Sequence, residues 1–316
     1  MAQAKRVIID ADPGIDDTAA ILMALASDKL QVEAITTVHG NASVEQCTVN
    51  ALRILEAAGR TDIPVYQGVG RTLTYQVPTY ASHIHGDDGI GNIEWPLPIK
   101  SLRVRHAVPE LIDRVLAAPG ELTIMAIGRQ TNVALAMSIE PRFAECVGEI
   151  VVMGGALFQP GNVTPLATAN IAGDPEAADA VYRSGARVTQ VGLDVCNQVE
   201  VSGAQQQRVW DAGTPATNLL QQATRFINRA YKNDNRLHNP DGVQYSDLSP
   251  MAYAIAPELF GLRDMHVRVE TQGEFARGFT VADLRKNSTA KPNVSVAMEV
   301  DAPAVTELWT NLVSTI

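Results

Sequence analysis

The sequence has few cysteines, few positive charges and no long apolar run, and each shortage closes off a class of protein. Cys47, Cys146 and Cys196 are the only cysteines in 316 residues. Their number is odd and none is spaced as CxxC or CxxH, so neither a disulfide framework nor a zinc site is indicated, and buried free thiols are expected. No stretch approaches the roughly 18 consecutive apolar residues of a membrane span. The apolar run in MAQAKRVIID is too short for a secretory signal, so a cytoplasmic location away from membranes is expected. Lys and Arg total 25 against 35 Asp and Glu, a formal net charge of -10. Such a chain lacks the basic stripe that follows phosphates, which argues against nucleic acid as a partner. A small neutral or cationic ligand, or a metal, suits the charge balance better.

What is present is apolar mass with a rhythm. Hydrophobic residues make up 46% of the chain, ample for a sizeable core. RVIID is followed by DDTAAILMALAS, VEAITTV by VEQCTVNALRILEAAG, ELTIMAIG by TNVALAMSI, EIVVMGG by DPEAADAVYRSG, and then comes ARVTQVGLD. This β-then-α alternation predicts an α/β fold, an open and mainly parallel twisted sheet flanked by helices. Ligands of such sheets bind outside the carboxyl ends of the strands. Gly59 and Gly185 fall where helices should stop, and in GDPEA Asp174 reads as an N-cap with Pro175 at the first helical position. Near the C-terminus HVRVETQGEFARGFTVADL and KPNVSVAMEVD alternate as a small antiparallel extension, before a closing helix over 304–314. No repeat or linker interrupts the chain, so residues 1–316 are expected to form one domain. Segments 67–104 and 225–247 break the rhythm and read as irregular loops close to the substrate.

The densest chemistry lies in VIIDADPGIDDTAAILMALA, residues 7–26, which gathers Asp10, Asp12, Asp16 and Asp17 between a strand pattern and a helix pattern. Carboxylates so close repel one another unless a proton, a cation or many donors compensate. One aspartate suffices to cap a helix. Oxygen ligands without Cys or His suit a hard cation, calcium or magnesium. The alternating acids and closing Glu of an EF-hand are missing, and Gly14 stands where a DxDxT phosphatase loop needs Thr. GVG at 68–70 lacks a third glycine and a following helix pattern, which removes a dinucleotide fingerprint.

The stretch DADPGIDDTAAILMAL resembles the opening signature of the inosine–uridine-preferring nucleoside hydrolases. Further similar segments follow in family order: TTVHGN, HGDDGIG, IGRQTNVALAM, VVMGGA with GNVTP, AN and DPEAA, then VGLDV and SDLSPMAYAIAP. The resemblance implies a calcium-dependent N-ribohydrolase on an open α/β sheet that splits a ribonucleoside into ribose and base, commonly as a homodimer or homotetramer. Carried over residue by residue, it implies that Asp12 is calcium ligand and water-activating base, and that Asp17 and Asp247 are ligands. Thr131 would contribute its main-chain carbonyl. Asp16, Asn41, Asn162 and Asn170 match ribose-binding positions, and Asp10 a supporting one. Amide side chains that donate and accept at once suit sugar hydroxyls. An oxocarbenium-like transition state gains from anionic and hydroxyl-binding groups.

Three departures from the family pattern shape the expected site. Ala167-Thr168-Ala169-Asn170 stands where Ala-Glu-Phe-Asn is common, so Thr168 replaces an anion beside the ribose and Ala169 replaces a pocket-lining ring. This predicts an altered or roomier 5′ region. Ser246 replaces the histidine that would protonate the leaving base, which leaves His85 or His238 as candidate acids; His83 is a further one. Arg129-Gln130 replaces Pro-Leu and puts a cation near the metal loop. Asn228, Tyr231, His238 and Trp95 are candidates for the base pocket. The competing expectation is a non-catalytic, ligand-binding relative that keeps the calcium loop but has lost base-leaving chemistry.

Overall fold

The computed structural model describes residues 3–76, 78–234 and 241–316. Its strands are β1 (Lys5–Ala11), β2 (Leu30–Thr37), β3 (Val65–Gln67), β4 (Leu122–Ala126), β5 (Glu149–Met153), β6 (Val188–Val191), β7 (Phe260–Met265), β8 (Val267–Val269), β9 (Thr280–Ala282) and β10 (Val294–Val300). Eight form one sheet in the order β3-β2-β1-β4-β5-β6-β10-β7. Every pair is parallel except β10 with β7, and β8 with β9 makes a separate antiparallel ribbon. The expected open, mainly parallel sheet with a small antiparallel extension is therefore what forms. β10, however, lies parallel beside β6 inside the main sheet. Its other neighbour, β7, is antiparallel to it as the alternation suggested; alternation shows one apolar and one mixed face and does not itself fix the direction of pairing.

Strands buried on both faces read as near-continuous apolar runs, and β1 shows why. Val7, Ile9 and Ala11 point into the core shared with the helices Ile15–Ala26, Val44–Ala57, Leu248–Ile255 and Ala302–Val313. Ile8 points into the opposite layer with Ala107–Ala117, Thr131–Ile139 and Pro175–Tyr182. The closing helix is fastened to the first: Trp309 Nε1 donates to the Ala19 carbonyl at 3.3 Å, and its ring lies 5.6 Å from that of Tyr245. Among the described residues no helix is long and apolar enough to cross a membrane.

One stretch differs from expectation. The helix Pro215–Asp234 runs through the first ten residues of the segment read as a loop from 225. Leu219, Leu220, Ala223, Ile227 and Tyr231 are buried along one stripe of it, a narrow apolar face hidden among polar residues. Segment 67–104 is largely irregular as expected, with one short helix at Ser82–His85. The N-cap reading of Asp174 holds, its carboxylate accepting from Ala177 N at 3.2 Å.

The strand order reverses direction between β1 and β4. Such a switch point leaves a crevice at the carboxyl ends of the two strands. The acidic stretch after β1 and the Gly128–Thr131 loop after β4 both open onto it.

Candidate active site

Asp10 ends β1 as a buried brace. Its Oδ1 accepts from Thr36 Oγ1 at 2.6 Å and Asn132 Nδ2 at 2.8 Å, while Oδ2 has no partner. Burial pushes its pKa up to about 7, against the pull of those two donors. Asn132 also donates to the Thr37 carbonyl and accepts from Val69 N, so it ties three strand-end loops to one carboxylate.

Asp12, Asp16, Asp17 and Asp247 converge beyond that brace. One oxygen each from Asp16, Asp17 and Asp247 lies within 4.8 Å of the others. Asp12 is held alongside by Asn41, whose main-chain N donates to Asp12 Oδ2 at 2.9 Å and whose Nδ2 donates to Asp17 Oδ2 at 2.9 Å. Gly40 is required for this seat: a Cβ there would stand 1.7 Å from Asp12 Oδ2. Asp247 occupies the N-cap position of Leu248–Ile255 yet makes no capping bond with its side chain. Burial first, then the neighbouring carboxylates, raises the pKa of Asp247, and that of Asp12 through Asp17 and Asp16. The Asp17 carboxyl is raised to about 7 for the same reasons, and its Oδ1 is buried without a partner.

Such a set stays ionised only with a cation in it. The donors are all oxygen, one is orphaned, and no sulfur or imidazole joins the trio, which fits a hard divalent ion. Thr131 opens the helix after β4 with its hydroxyl committed to Asp174 Oδ2 at 2.8 Å. Thr131 lines the neighbouring pocket with residues 68–73 and His106 and not the space over the acidic cluster.

A cavity of about 70 Å³ lies over this cluster, lined by Asp12, Asp16, Asn41, Asn162, Thr168, Asn170, His83, His85, Tyr231, Ser246 and Asp247. Asp17 sits behind it. Asn170 spends Nδ2 on the carbonyls of Ile127 (2.6 Å) and Met153 (3.2 Å), which fixes its side chain in the cavity wall. Asn162 Oδ1 accepts from Ala169 N at 2.9 Å and so shapes the loop on which Thr168 and Asn170 stand. Thr168 Oγ1 accepts from Gly155 N at 2.9 Å. His85 Nδ1 accepts from Ile15 N at 3.2 Å and lies 3.8 Å from Asp16 Oδ1. Burial lowers its pKa although Asp16 opposes this, so the ring is neutral and carries its proton on Nε2.

Not every candidate meets here. Asn228 does not line the cavity; its Nδ2 reaches Gln206 Oε1 at 3.5 Å. His238 lies outside the described residues. Trp95, half-buried, stands outside the cavity with its carbonyl held by Arg53. Sequence reasoning missed the placement of Asn132 and Asp174, whose partners lie 122 and 43 residues away respectively; only the N-cap pattern marked Asp174, and nothing marked Asn132.

The model of the family described as "Inosine-uridine preferring nucleoside hydrolase" matches residues 7–307. The chain belongs to that family. A probable uridine nucleosidase of Arabidopsis thaliana is 39% identical over 313 residues, covering 96% of each chain. The inosine-uridine preferring nucleoside hydrolase of Crithidia fasciculata is 35% identical, covering 94% of this chain and 93% of that one. Among solved structures, a plant nucleoside hydrolase superposes with a TM-score of 0.93 at 36% identity over 99% of both chains. A purine-preferring ribonucleoside hydrolase from Gardnerella vaginalis does so with 0.93 at 34% identity over 98% of both. This nucleoside hydrolase is an enzyme acting on ribonucleosides, and its acidic crevice is the candidate for where it acts.

Proposed function

We propose that this enzyme hydrolyses the N-glycosidic bond of ribonucleosides to ribose and free base with calcium as its cofactor, in nucleoside salvage. The observation that carries the reading is the convergence of the buried Asp12, Asp17 and Asp247 with the half-buried Asp16 at the sheet's switch point. Asp17, Asp247, Asp12 and the Thr131 carbonyl would hold the ion, which when bound would supply an orienting charge that lowers the pKa of the attacking water. Asp12, facing the cavity, takes the water's proton as it attacks C1′. Asp16, half-buried and lining the same wall, accepts from a ribose hydroxyl, and Asn41, Asn162, Thr168 and Asn170 orient the sugar. As the bond breaks, positive charge grows on the ribose beside these carboxylates, an interaction stronger in the transition state than in the ground state.

Tyr231 and His85 border the space left for the base. His85, neutral with Nε2–H, donates a hydrogen bond to the departing ring; His238 is the second candidate acid. Ser246 cannot take that role, because a hydroxyl is a poor proton donor near neutral pH. Asn228 supports the base side only through the helix it shares with Tyr231.

A cytoplasmic location is supported by the free thiols Cys47, Cys146 and Cys196, which suit a reducing compartment. A homodimer or homotetramer is supported by the exposed apolar side chains of Leu97, Ile99 and Val104 on one loop. The single domain spanning residues 1–316 is supported by the helix at Ala302–Val313 packing on the first helix.

The test is release of reducing sugar from uridine, cytidine, inosine and adenosine in the presence of calcium. Ribose from at least one supports hydrolysis; no ribose from any nucleoside leaves the non-catalytic, ligand-binding reading in its place.

A further inference from the structure

The loop after β4 places a cation beside the catalytic cavity that the reaction above does not use. Arg129 is 6% exposed, yet the one acceptor it reaches among the described residues is the Thr79 carbonyl, 2.6 Å from Nη2. Asp12 and Asp174 act on it from longer range without forming an ion pair. Its other N–H groups make no hydrogen bond among the described residues, and the side chain borders open space. That space is a second cavity of about 350 Å³, with Arg129, Tyr80, Thr164 and Gly173 in its wall. It meets the catalytic cavity along Asp12, Asn41, Ala169 and Asn170.

The backbone is shaped for this arginine. A Cβ on Gly173 would stand 2.2 Å from Arg129 Nε. Gly173 lies in an ordinary right-handed helix, so close approach explains the glycine and a special backbone angle does not. The small side chain of Ala169 leaves the passage between the two cavities open.

The inference rests on the nucleoside reading. There Asp16 takes a ribose hydroxyl, Tyr231 and His85 border the base, and Thr168 and Ala169 leave the 5′ region roomier; Ala169 stands in the wall of both cavities, which sets C5′ towards the second. We propose that this cavity is a subsite for an anionic group on C5′, a phosphate or a carboxylate, gripped by the Arg129 guanidinium, and that the preferred substrates are 5′-anionic ribonucleosides. A planar fork with free N–H groups matches both anions. For a nucleoside 5′-monophosphate, water oxygen bonds to C1′ and the C1′–N bond breaks. The water's proton passes to Asp12, and the base leaves with a proton from His85. The two side chains regain their starting states by exchange with solvent, so that one water is consumed per bond broken, and ribose 5-phosphate is the sugar product.

The experiment compares kcat/KM of the calcium-loaded enzyme for uridine, uridine 5′-monophosphate, uridine 5′-carboxylate and 5′-O-methyluridine, repeated on the inosine scaffold. At least one anion exceeds the unmodified nucleoside by tenfold or more, on the order of one charge-assisted hydrogen bond. Arg129→Gln then lowers the anion-to-unmodified ratio by about 10- to 100-fold, and Arg129→Lys by less. Circular dichroism checks that both variants are folded. The order of phosphate and carboxylate identifies the source of the anion. Equal ratios in the wild type, a ratio untouched by Arg129→Gln and Arg129→Lys, or equal use of the 5′-O-methyl compound overturns the inference while leaving nucleoside hydrolysis intact. If no compound is cleaved, the hydrolytic reading fails separately, and calorimetric binding of uridine 5′-monophosphate against uridine, in wild type and Arg129→Gln, still decides the subsite.

Discussion

Asp12 is the residue on which the chemistry turns: it is buried, pressed by Asp17 and Asp16 towards its protonated form, and open to the cavity. A base in that state works only when a cation restores its charge. Replacing Asp12 with Asn is expected to lower kcat by about 10²–10⁴, the range of a lost general base. Asp247→Asn should instead raise the calcium concentration needed for half-maximal rate before it alters the rate at saturation. Asp10 offers a separate test, because burial raises it from 3.8 to about 7. A carboxyl raised on folding contributes its stability in full below the unfolded pKa and loses it as pH climbs through the folded one. Metal-free protein should therefore lose stability between about pH 4 and pH 7, and Asp10→Asn should flatten that decline, by a few kcal/mol at most. Urea unfolding at several pH values measures both. Asp10, Asp12, Asp16 and Asp17 were legible in the sequence because they are adjacent; Asn132, which braces Asp10 from 122 residues away, was not, since a lone Asn in a helix's first turn carries no mark of its partner.

Among elements, the β1–helix junction does most to place the site, and it works through what Gly40 lacks. The turn after β2 brings Gly40 against Asp12 and lets Asn41 clamp both Asp12 and Asp17. Gly40→Ala should leave the far-UV circular dichroism intact and cut kcat/KM by roughly 10²-fold, as expected when a catalytic group is misplaced by about an ångström. The core strands β1, β2, β4, β5 and β6 and the helices after β1, β2, β4 and β5 follow from apolar runs alternating with period-3.6 stripes. The end of the helix at Asp234 escaped because its last residues, Lys232-Asn233-Asp234, are as polar as the sequence after them, and β3, three residues long, is too short for any periodicity to show. Strand β10 was legible, and it is antiparallel to β7, but its parallel pairing with β6 was not: alternation reports which face is buried, not which neighbour is paired or in which direction.

For the whole molecule, fold and acidic crevice were both readable because one ordered set of motifs spans residues 10–257; Arg129 was marked there as a cation near the metal loop, whereas the second cavity it borders emerges only when β4 and the helix Ala169–Gly173 are brought together in space. The crevice joins the first strand, the β4 loop and the Asp247 turn, segments more than 230 residues apart in sequence. An ion that bridges them binds the folded chain and not the unfolded one, so it stabilises by mass action, about 2.7 kcal/mol at one hundred times its Kd. Calcium should raise the melting temperature by several degrees, and the rise should vanish in Asp17→Asn. The most direct test of the central claim is the rate of ribose release from a cleaved nucleoside by enzyme stripped with chelator, before and after calcium is restored. A rate lost on stripping and regained with calcium is predicted; hydrolysis that continues undiminished in chelator would contradict the account.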